Sequence, residues 1–434
     1  MNSEFDSRPA AALAASLVLL VAFTVAGCDE STSPDESGGA PVCASNYLEA
    51  STPLRLVMPF AEGSEWTVGG AGSFFGEGAH TNSSAGGQLS DGEYFATDWN
   101  CCGGGDNDLG EPLYPMAPGR VSHVRSEDPG TTGYGKFVIV VHPGDPPFRT
   151  RYAHLDDVTV DEGDVVFTTT EVGTVGNTGT GSAHLHLAFQ RWTGEHWRSK
   201  SYYDTASDAQ SRKPSPMWTA AGSTELCPGA NYTAAKGVSV FHDVNPAHDI
   251  SRYITSVYAH GYAIGCSNEP QYNFCPYDPL TRAEMAVILV RSEHGPDFVP
   301  PDPSQSEFAD VPVDAWYSKW VHQAYYDYYT DGCWPDPLLY CPFDQLTRTE
   351  LAVFMLRARH RDPDYEPPAA TGVFADMEGH WGAEWAEAAY DEGIMEPCRT
   401  QWPYRYFCPE SAASRALMAK ALAKAKYLPV PSKP

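Results

Sequence analysis

Leu280-Thr281-Arg282-Ala283-Glu284 returns as Leu346-Thr347-Arg348-Thr349-Glu350 and, more weakly, as Ala413-Ser414-Arg415-Ala416-Leu417. The three arginines stand 66 and 67 residues apart. Cysteine pairs keep the same beat: Cys266 with Cys275, Cys333 with Cys341, Cys398 with Cys408. So do Phe241-His242-Asp243, Phe308-Ala309-Asp310 and Phe374-Ala375-Asp376. Three aligned landmarks mark an internal repeat, in which each unit buries its apolar face only against its neighbours.

Each unit reads as helix, loop, helix. In the first, Asp249 can cap a helix with Ile250, Tyr253, Ile254, Val257 and Tyr258 on one side, and Gly261 and Gly265 end it. Thr281 with Glu284 forms a capping box, the hydroxyl taking the amide of the fourth residue while the carboxylate reaches back. Met285, Ile288 and Leu289 supply the buried face of the second helix. The third unit keeps Ser414 but loses the Glu, which predicts a weaker helix start. One disulfide per unit is expected, each worth about 2–3 kcal/mol on a loop-entropy argument. The alternative, a zinc site, has no repeated His to complete it.

Residues 238–426 resemble three S-layer homology (SLH) repeats. The shared features are the Phe-x-Asp-Val opening, a Trp in the first helix (Trp316, Trp381), the Gly-Ile/Ala turn and the Thr-Arg-x-Glu helix start. The resemblance implies docking on a cell-wall polymer, with Arg282 and Arg348, and less firmly Arg415, contacting acidic groups. Bracing of neighbouring loops is the other role open to these arginines.

The N-terminus points to export. Residues Ala10 to Ala26 form one apolar run, short for a membrane span and suited to a signal-peptide core. Val25-Ala26-Gly27-Cys28 resembles a bacterial lipoprotein box, which implies acylation of Cys28 and a membrane anchor. A plain signal peptide or a short anchor is the alternative, and the leading segment, with Glu4 and Asp6 against Arg8, is not positive. Either reading makes the chain extracytoplasmic, in periplasm or at the cell surface. Eleven Cys suit an oxidising compartment. A formal net charge of −28 argues against nucleic acid, which needs a basic face.

The expected organisation is multidomain: signal peptide 1–27, tether 28–41, an all-β region 42–200, a linker 201–237, and α-helical repeats at 238–295, 305–361 and 371–426. The β region rests on alternating stretches such as Lys136-Phe137-Val138-Ile139-Val140-Val141-His142 and Arg149-Thr150-Arg151-Tyr152-Ala153-His154-Leu155. In it, His184-Leu185-His186 opens a strand, and residues two apart on a strand share a face. A shared metal-centred site requires such a pair.

Residues 54–190 resemble peptidase family M23, of the LytM and lysostaphin type. The blocks are Tyr94-Phe95-Ala96-Thr97-Asp98, then Gly110 through Val121 (GEPLYPMAPGRV), Gly135 through His142, Tyr152-Ala153-His154-Leu155, Gly176-Asn177-Thr178-Gly179 and His184-Leu185-His186. The resemblance implies an antiparallel β domain that binds Zn2+ and cleaves a peptide bond in a peptidoglycan stem or cross-bridge. It makes Asp98 and His186 zinc ligands, with His154 and His184 as catalytic histidines sharing general-base and oxyanion roles. A hydrolytic zinc takes three protein ligands and keeps one position open. The compact family pattern puts the remaining ligand at Tyr94, whereas members with a longer insert imply His80, 18 positions before Asp98. Imidazole is the common zinc donor, so His80 is preferred. If His80 is not the ligand, the site is degenerate, and the chain is an inactive wall-binding or hydrolase-regulating protein.

Cys101 and Cys102 are expected to bond Cys43 and Cys227, one each, since adjacent cysteines rarely bond each other comfortably. Asp106 and Asp108 read as a solvated acidic turn, with a calcium loop as the fainter alternative.

Overall fold

The computed structural model describes residues 55–69, 96–199 and 217–433, apart from 104, 129, 131–132, 193, 195–196, 225, 227–229, 268–271 and 363. Cys28, Cys43, His80, Tyr94 and Cys227, together with the apolar run 10–26, therefore lie outside the described residues. No described helix is long and apolar enough to cross a membrane.

The first half is an antiparallel sheet. Its strands are β1 (Glu65–Val68), β2 (Thr97–Asn100), β3 (Pro112–Leu113), β4 (Gly119–Arg125), β5 (Lys136–His142), β6 (Phe148–Val158), β7 (Val165–Val166), β8 (Gly173–Val175), β9 (Leu185–Trp192) and β10 (Trp197–Ser199). After a two-stranded ribbon, β11 (Met217–Thr219) and β12 (Gly222–Thr224), β13 (Asn231–Thr233) rejoins the main sheet. The order across it is β13-β1-β2-β9-β6-β5-β4-β7. Over its described residues, 217–224, 226 and 230–237, this corrects the reading of 201–237 as a linker. Trp66 pairs with Tyr232 across β1 and β13, and Trp99 packs edge-on against the same tyrosine at 6.1 Å, so the segment closes the sheet's edge.

The sheet's core lies on one face, where Trp66, Trp99, Val138, Val140, Tyr152 and Leu185 are buried. Polar atoms there are paired, as burial demands. The Tyr152 hydroxyl accepts the Met116 amide at 2.8 Å and lies 2.9 Å from Thr150 Oγ1. His142 is fully buried, with Nδ1 donating to Pro118 O at 3.0 Å and Nε2 2.8 Å from Thr150 Oγ1.

The second half is helical, with α1 (Ile250–Ala259), α2 (Arg282–His294), α3 (Ser318–Tyr326), α4 (Arg348–His360), α5 (Ala383–Asp391) and α6 (Arg415–Ala425). Between α3 and α4 lies a hairpin of β14 (Trp334–Pro335) and β15 (Leu338–Leu339). Between α5 and α6 lies one of β16 (Arg399–Gln401) and β17 (Tyr404–Tyr406). Disulfides join Cys266–Cys275, Cys333–Cys341 and Cys398–Cys408, as expected. The repeated Asp has a local task. Asp243, Asp310 and Asp376 accept two successive amides each, from Phe274 and Cys275, Tyr340 and Cys341, and Phe407 and Cys408. The second residue of each pair is the cysteine that turns the chain with positive φ.

Thr281 and Thr347 form capping boxes with Glu284 and Glu350, and Ser414 caps α6 without one. Asp249 does not cap α1 through its side chain and instead meets Lys433 Nζ at 3.1 Å. Trp316 and Trp381 precede α3 and α5 rather than lying in them, and both are exposed.

The three units close on themselves. Leu280 N donates to Ala413 O, Ala413 N to Leu346 O, and Leu346 N to Leu280 O, at 2.7–2.9 Å. Each helix-start arginine reaches into the next unit. Arg282 donates to Tyr340 O and Glu350, Arg348 to Phe407 O and Glu396 O, and Arg415 to Phe274 O and Glu284. Arg282 and Arg348 are only 4% and 8% exposed. In place of the expected polymer contact these two buried side chains brace neighbouring units, with Nε and Nη1 of Arg282 and Nε and Nη2 of Arg348 bonded inside the fold. Tyr258 Oη donates to Pro143 O at 2.8 Å, and Arg120 pairs with Asp297 at 2.6 Å, which joins the helices to the β4–β5 end of the sheet.

Candidate metal and catalytic site

Four of the expected site residues meet at the other end of the sheet. Asp98 on β2 lies directly opposite His186 on β9, and His186 opposite Ala153 on β6. Directly opposed residues share a face. Across that rung His186 Nδ1 is 3.0 Å from Asp98 Oδ1. His184 precedes β9, bridged to Gly176, and brings Nε2 to 3.8 Å from the same oxygen. The ring of His154 lies 4.7 Å from that of His184 and 5.7 Å from that of His186.

His154 owes its place to a bulge. Lys136 pairs with Leu155 and Phe137 with Ala153, so His154 is the extra residue, and its φ is 64°. Left-handed backbone on a bulky side chain is uncommon and needs outside support. The His154 amide donates to Tyr134 O at 3.0 Å, and the ring's Nδ1 donates to Thr178 O at 2.8 Å. Thr178 itself is clamped, its Oγ1 donating to Leu155 O and accepting the Lys136 amide. Gly135 makes this possible: at φ 58° it passes so close that a Cβ would sit 2.1 Å from Thr178 O.

Carbonyls only accept, so Thr178 O fixes the proton of His154 on Nδ1 and Ser182 O, 3.0 Å from His184 Nδ1, does the same there. In the neutral form each ring keeps a bare Nε2. Burial pushes the His154 pKa down to about 4, outweighing the bond to Thr178.

The donor set suits a divalent metal. One imidazole nitrogen and one carboxylate oxygen converge from adjacent strands, which is the chemistry zinc takes. No group of three or more His, Cys, Asp or Glu side chains among the described residues could hold an ion. His80, the expected third donor, lies outside them.

Tyr134 and Thr178 were not singled out as site residues. Tyr134 stands 5.8 Å from His186 and supplies the carbonyl that holds His154. The signal was the pair of glycines flanking it. Asp106 and Asp108 also differ from expectation. Asp106 Oδ1 accepts the Ala183 amide at 2.7 Å, pinning the residue before His184. Asp108 is 0% exposed, and burial pushes its pKa up against the opposing pull of the Asp108 and Cys101 backbone amides. It is not a solvated turn residue. Cys101 and Cys102 are bonded to each other, which corrects the expected pairing with Cys43 and Cys227. Their Cα atoms are 3.8 Å apart, and positive φ at Cys102 and Gly103 turns the chain back at that point.

The sequence model of peptidase family M23 matches residues 106–199. Lipoprotein NlpD of Yersinia enterocolitica is 34% identical over 78 residues, which are 18% of this chain and 75% of that protein. The uncharacterized lipoprotein YgeR of Escherichia coli is 32% identical over 78 residues, 18% of this chain but 29% of its own length. Among solved structures, a zinc-containing peptidase from Vibrio cholerae is similar at 21% identity and a TM-score of 0.19, over 33% of this chain and 35% of that one.

Proposed function

The chain belongs to peptidase family M23, and from that premise we propose that it is a zinc-dependent endopeptidase cutting peptide bonds in peptidoglycan. The observation that carries the reading is the rung Asp98–His186, flanked by two histidines whose bare Nε2 atoms belong to the same cluster. In this reading Asp98, His186 and His80 hold the metal. Bound zinc would lower the pKa of a water toward ~7 and polarise the scissile carbonyl. His154 and His184 supply the rest: a neutral imidazole nitrogen accepts a proton from the attacking water, and the protonated ring returns it to the leaving amine. The carbonyls of Thr178 and Ser182 hold both rings in the tautomer this requires.

Lipidation at Cys28 would tether the chain to a membrane outside the cytoplasm, a reading supported by the lipoprotein names of the two relatives. The SLH-like repeats would add a cell-wall polymer contact, through a surface other than the buried Arg282 and Arg348. Pull-down on sacculi, with and without residues 237–434, tests that arm.

One observation favours a second reading. Only two metal donors converge among the described residues, which also suits a metal-free relative that binds wall or regulates a hydrolase. Zinc stoichiometry on the wild type and on His80→Ala separates the two. One tightly held zinc, lost in the variant and required for sacculus hydrolysis, supports the peptidase. Absence of zinc from the wild type supports the regulator.

A further inference from the structure

One peptide unit links His184 to an acid that the proposed mechanism does not use. The His184 ring donates from Nδ1 to Ser182 O at 3.0 Å. The same planar unit carries the Ala183 amide, and Asp106 Oδ1 accepts that amide at 2.7 Å. A trans unit points its C=O and N–H in opposite directions, so carboxylate, peptide and imidazole follow one another. Asp106 thus stands to His184 as the orienting third group stands to a base, with one peptide interposed.

The turn before β9 gives that peptide little hold on its Ser182 side. Ser182 is exposed, and a Cβ on the preceding Gly181 would meet nothing within 4 Å. Glycine leaves the backbone there free to rotate. The acceptor, by contrast, is seated. Its loop starts at buried Cys101 and ends in a reciprocal pair, Gly110 N to Val175 O and Val175 N to Glu111 O, both at 2.8 Å. Within it Leu109 N donates to Asp106 O and Asn107 Nδ2 to Cys102 O, each at 3.3 Å. Val175 adjoins Gly176, which bridges His184, so loop and histidine share one support. A carboxylate acceptor makes a bond roughly twice as strong as a neutral one, and bonds in a chain reinforce one another by roughly 10–30%.

We propose that Asp106 is a positioning residue for His184. Its carboxylate fixes the Ser182–Ala183 peptide, and the carbonyl of that peptide keeps the His184 proton on Nδ1, which leaves Nε2 for proton transfer. The inference rests on the hydrolase reading above for what His184 does, though not for how the ring is held.

The test compares Asp106→Ala, Asp106→Asn and Asn107→Ala with wild type, each as the full zinc-loaded chain. Asp106→Ala should lose about tenfold to a hundredfold in kcat on a peptidoglycan peptide, the scale of a small misplacement, with KM and zinc content unchanged. Asp106→Asn keeps an oxygen for the amide and should recover most of the rate. Asn107→Ala loosens the same loop without touching the peptide and should match wild type. The second readout is the pair of ring nitrogen NMR shifts of His184 in mildly alkaline buffer, assigned by their loss in His184→Gln. Wild type and Asp106→Asn should show the Nδ1–H tautomer, and Asp106→Ala a mixture of the two. An unchanged kcat or an unchanged tautomer in Asp106→Ala overturns the proposal. So does an equal loss in Asn107→Ala, or no recovery in Asp106→Asn. Asp106 lies at the surface, so truncation should leave the fold intact, which circular dichroism verifies. If Asp106→Ala does not fold, Asp106→Glu, which shifts the acceptor by one methylene, takes its place under the same criteria. If wild type cuts no peptide, the hydrolase reading has failed, and the tautomer alone judges Asp106.

Discussion

Glu284 serves two helices at once: its Oε2 closes the capping box on Thr281, while its Oε1 meets Arg415 Nη1, 131 residues away, at 3.3 Å. Glu350 repeats the arrangement with Thr347 and Arg282. The third unit has Leu417 where the acid would stand. Arg348 therefore bonds only carbonyls, those of Phe407 and Glu396, among the described residues.

Leu417→Glu should stabilise the protein. It would complete the box on Ser414 and supply Arg348 with the carboxylate its two counterparts have. The gain should be about 1 kcal/mol from the cap alone, read as a higher urea midpoint. Arg282→Met, which leaves Glu350 without its guanidinium, should cost about 3 kcal/mol or more. A lower midpoint for Leu417→Glu would mean that the apolar packing of Leu417 outweighs the ion pair.

This ring was only half legible in the sequence. The caps at Thr281, Thr347 and Ser414 could be read because a cap is settled within four residues. The direction of the arginines could not, since Arg282 finds Tyr340 O 58 positions on and Arg415 finds Phe274 O 141 positions back. The same limit applies at the site. That His184 and His186 share a face follows from period two, whereas the rung to Asp98 spans 88 residues and came only through family resemblance. The strand at 231–233 was missed because three polar residues, Asn-Tyr-Thr, carry no alternation of their own; pairing with β1 makes them a strand.

Stability should fall with acid between pH 6.5 and about 4. Burial holds the folded His142 near a pKa of about 4 against an ordinary value of 6.5. In that window the unfolded chain binds the extra proton, so stability is full above pH 6.5 and is lost as pH drops. The loss approaches roughly 3 kcal/mol for one such group. In metal-free protein His154, also pushed down to about 4, acts in the same direction. His142→Gln should remove about half of the slope of urea midpoint against pH, and an unchanged slope would contradict the role of His142.

If the rung holds zinc as proposed, removing one of its donors should release the metal without unfolding the sheet. Asp98→Asn and His186→Ala are expected to weaken zinc affinity by well over the ~10–100-fold typical of indirect partners, measured by competition with a chromogenic chelator. His154→Ala should keep its zinc and lose ~10²–10⁴ in kcat, the range for a proton-transfer residue. Loss of zinc in His154→Ala would instead make it a ligand.

The bond between Cys101 and Cys102 makes a prediction that mass spectrometry can read directly. Were these cysteines tied to Cys43 and Cys227, a non-reducing digest would show the 101–102 peptide cross-linked to distant ones. A bond between neighbours leaves that peptide free and lighter by two hydrogens than its reduced form. The three hairpin disulfides should be closed within single loops, between cysteines 8–10 positions apart. Cys101→Ser should then liberate a thiol at Cys102, which is exposed and ready to be alkylated, whereas Cys101 is buried beside the sheet. A cross-linked peptide at 101–102 in the wild type would restore the pairing with Cys43 and Cys227.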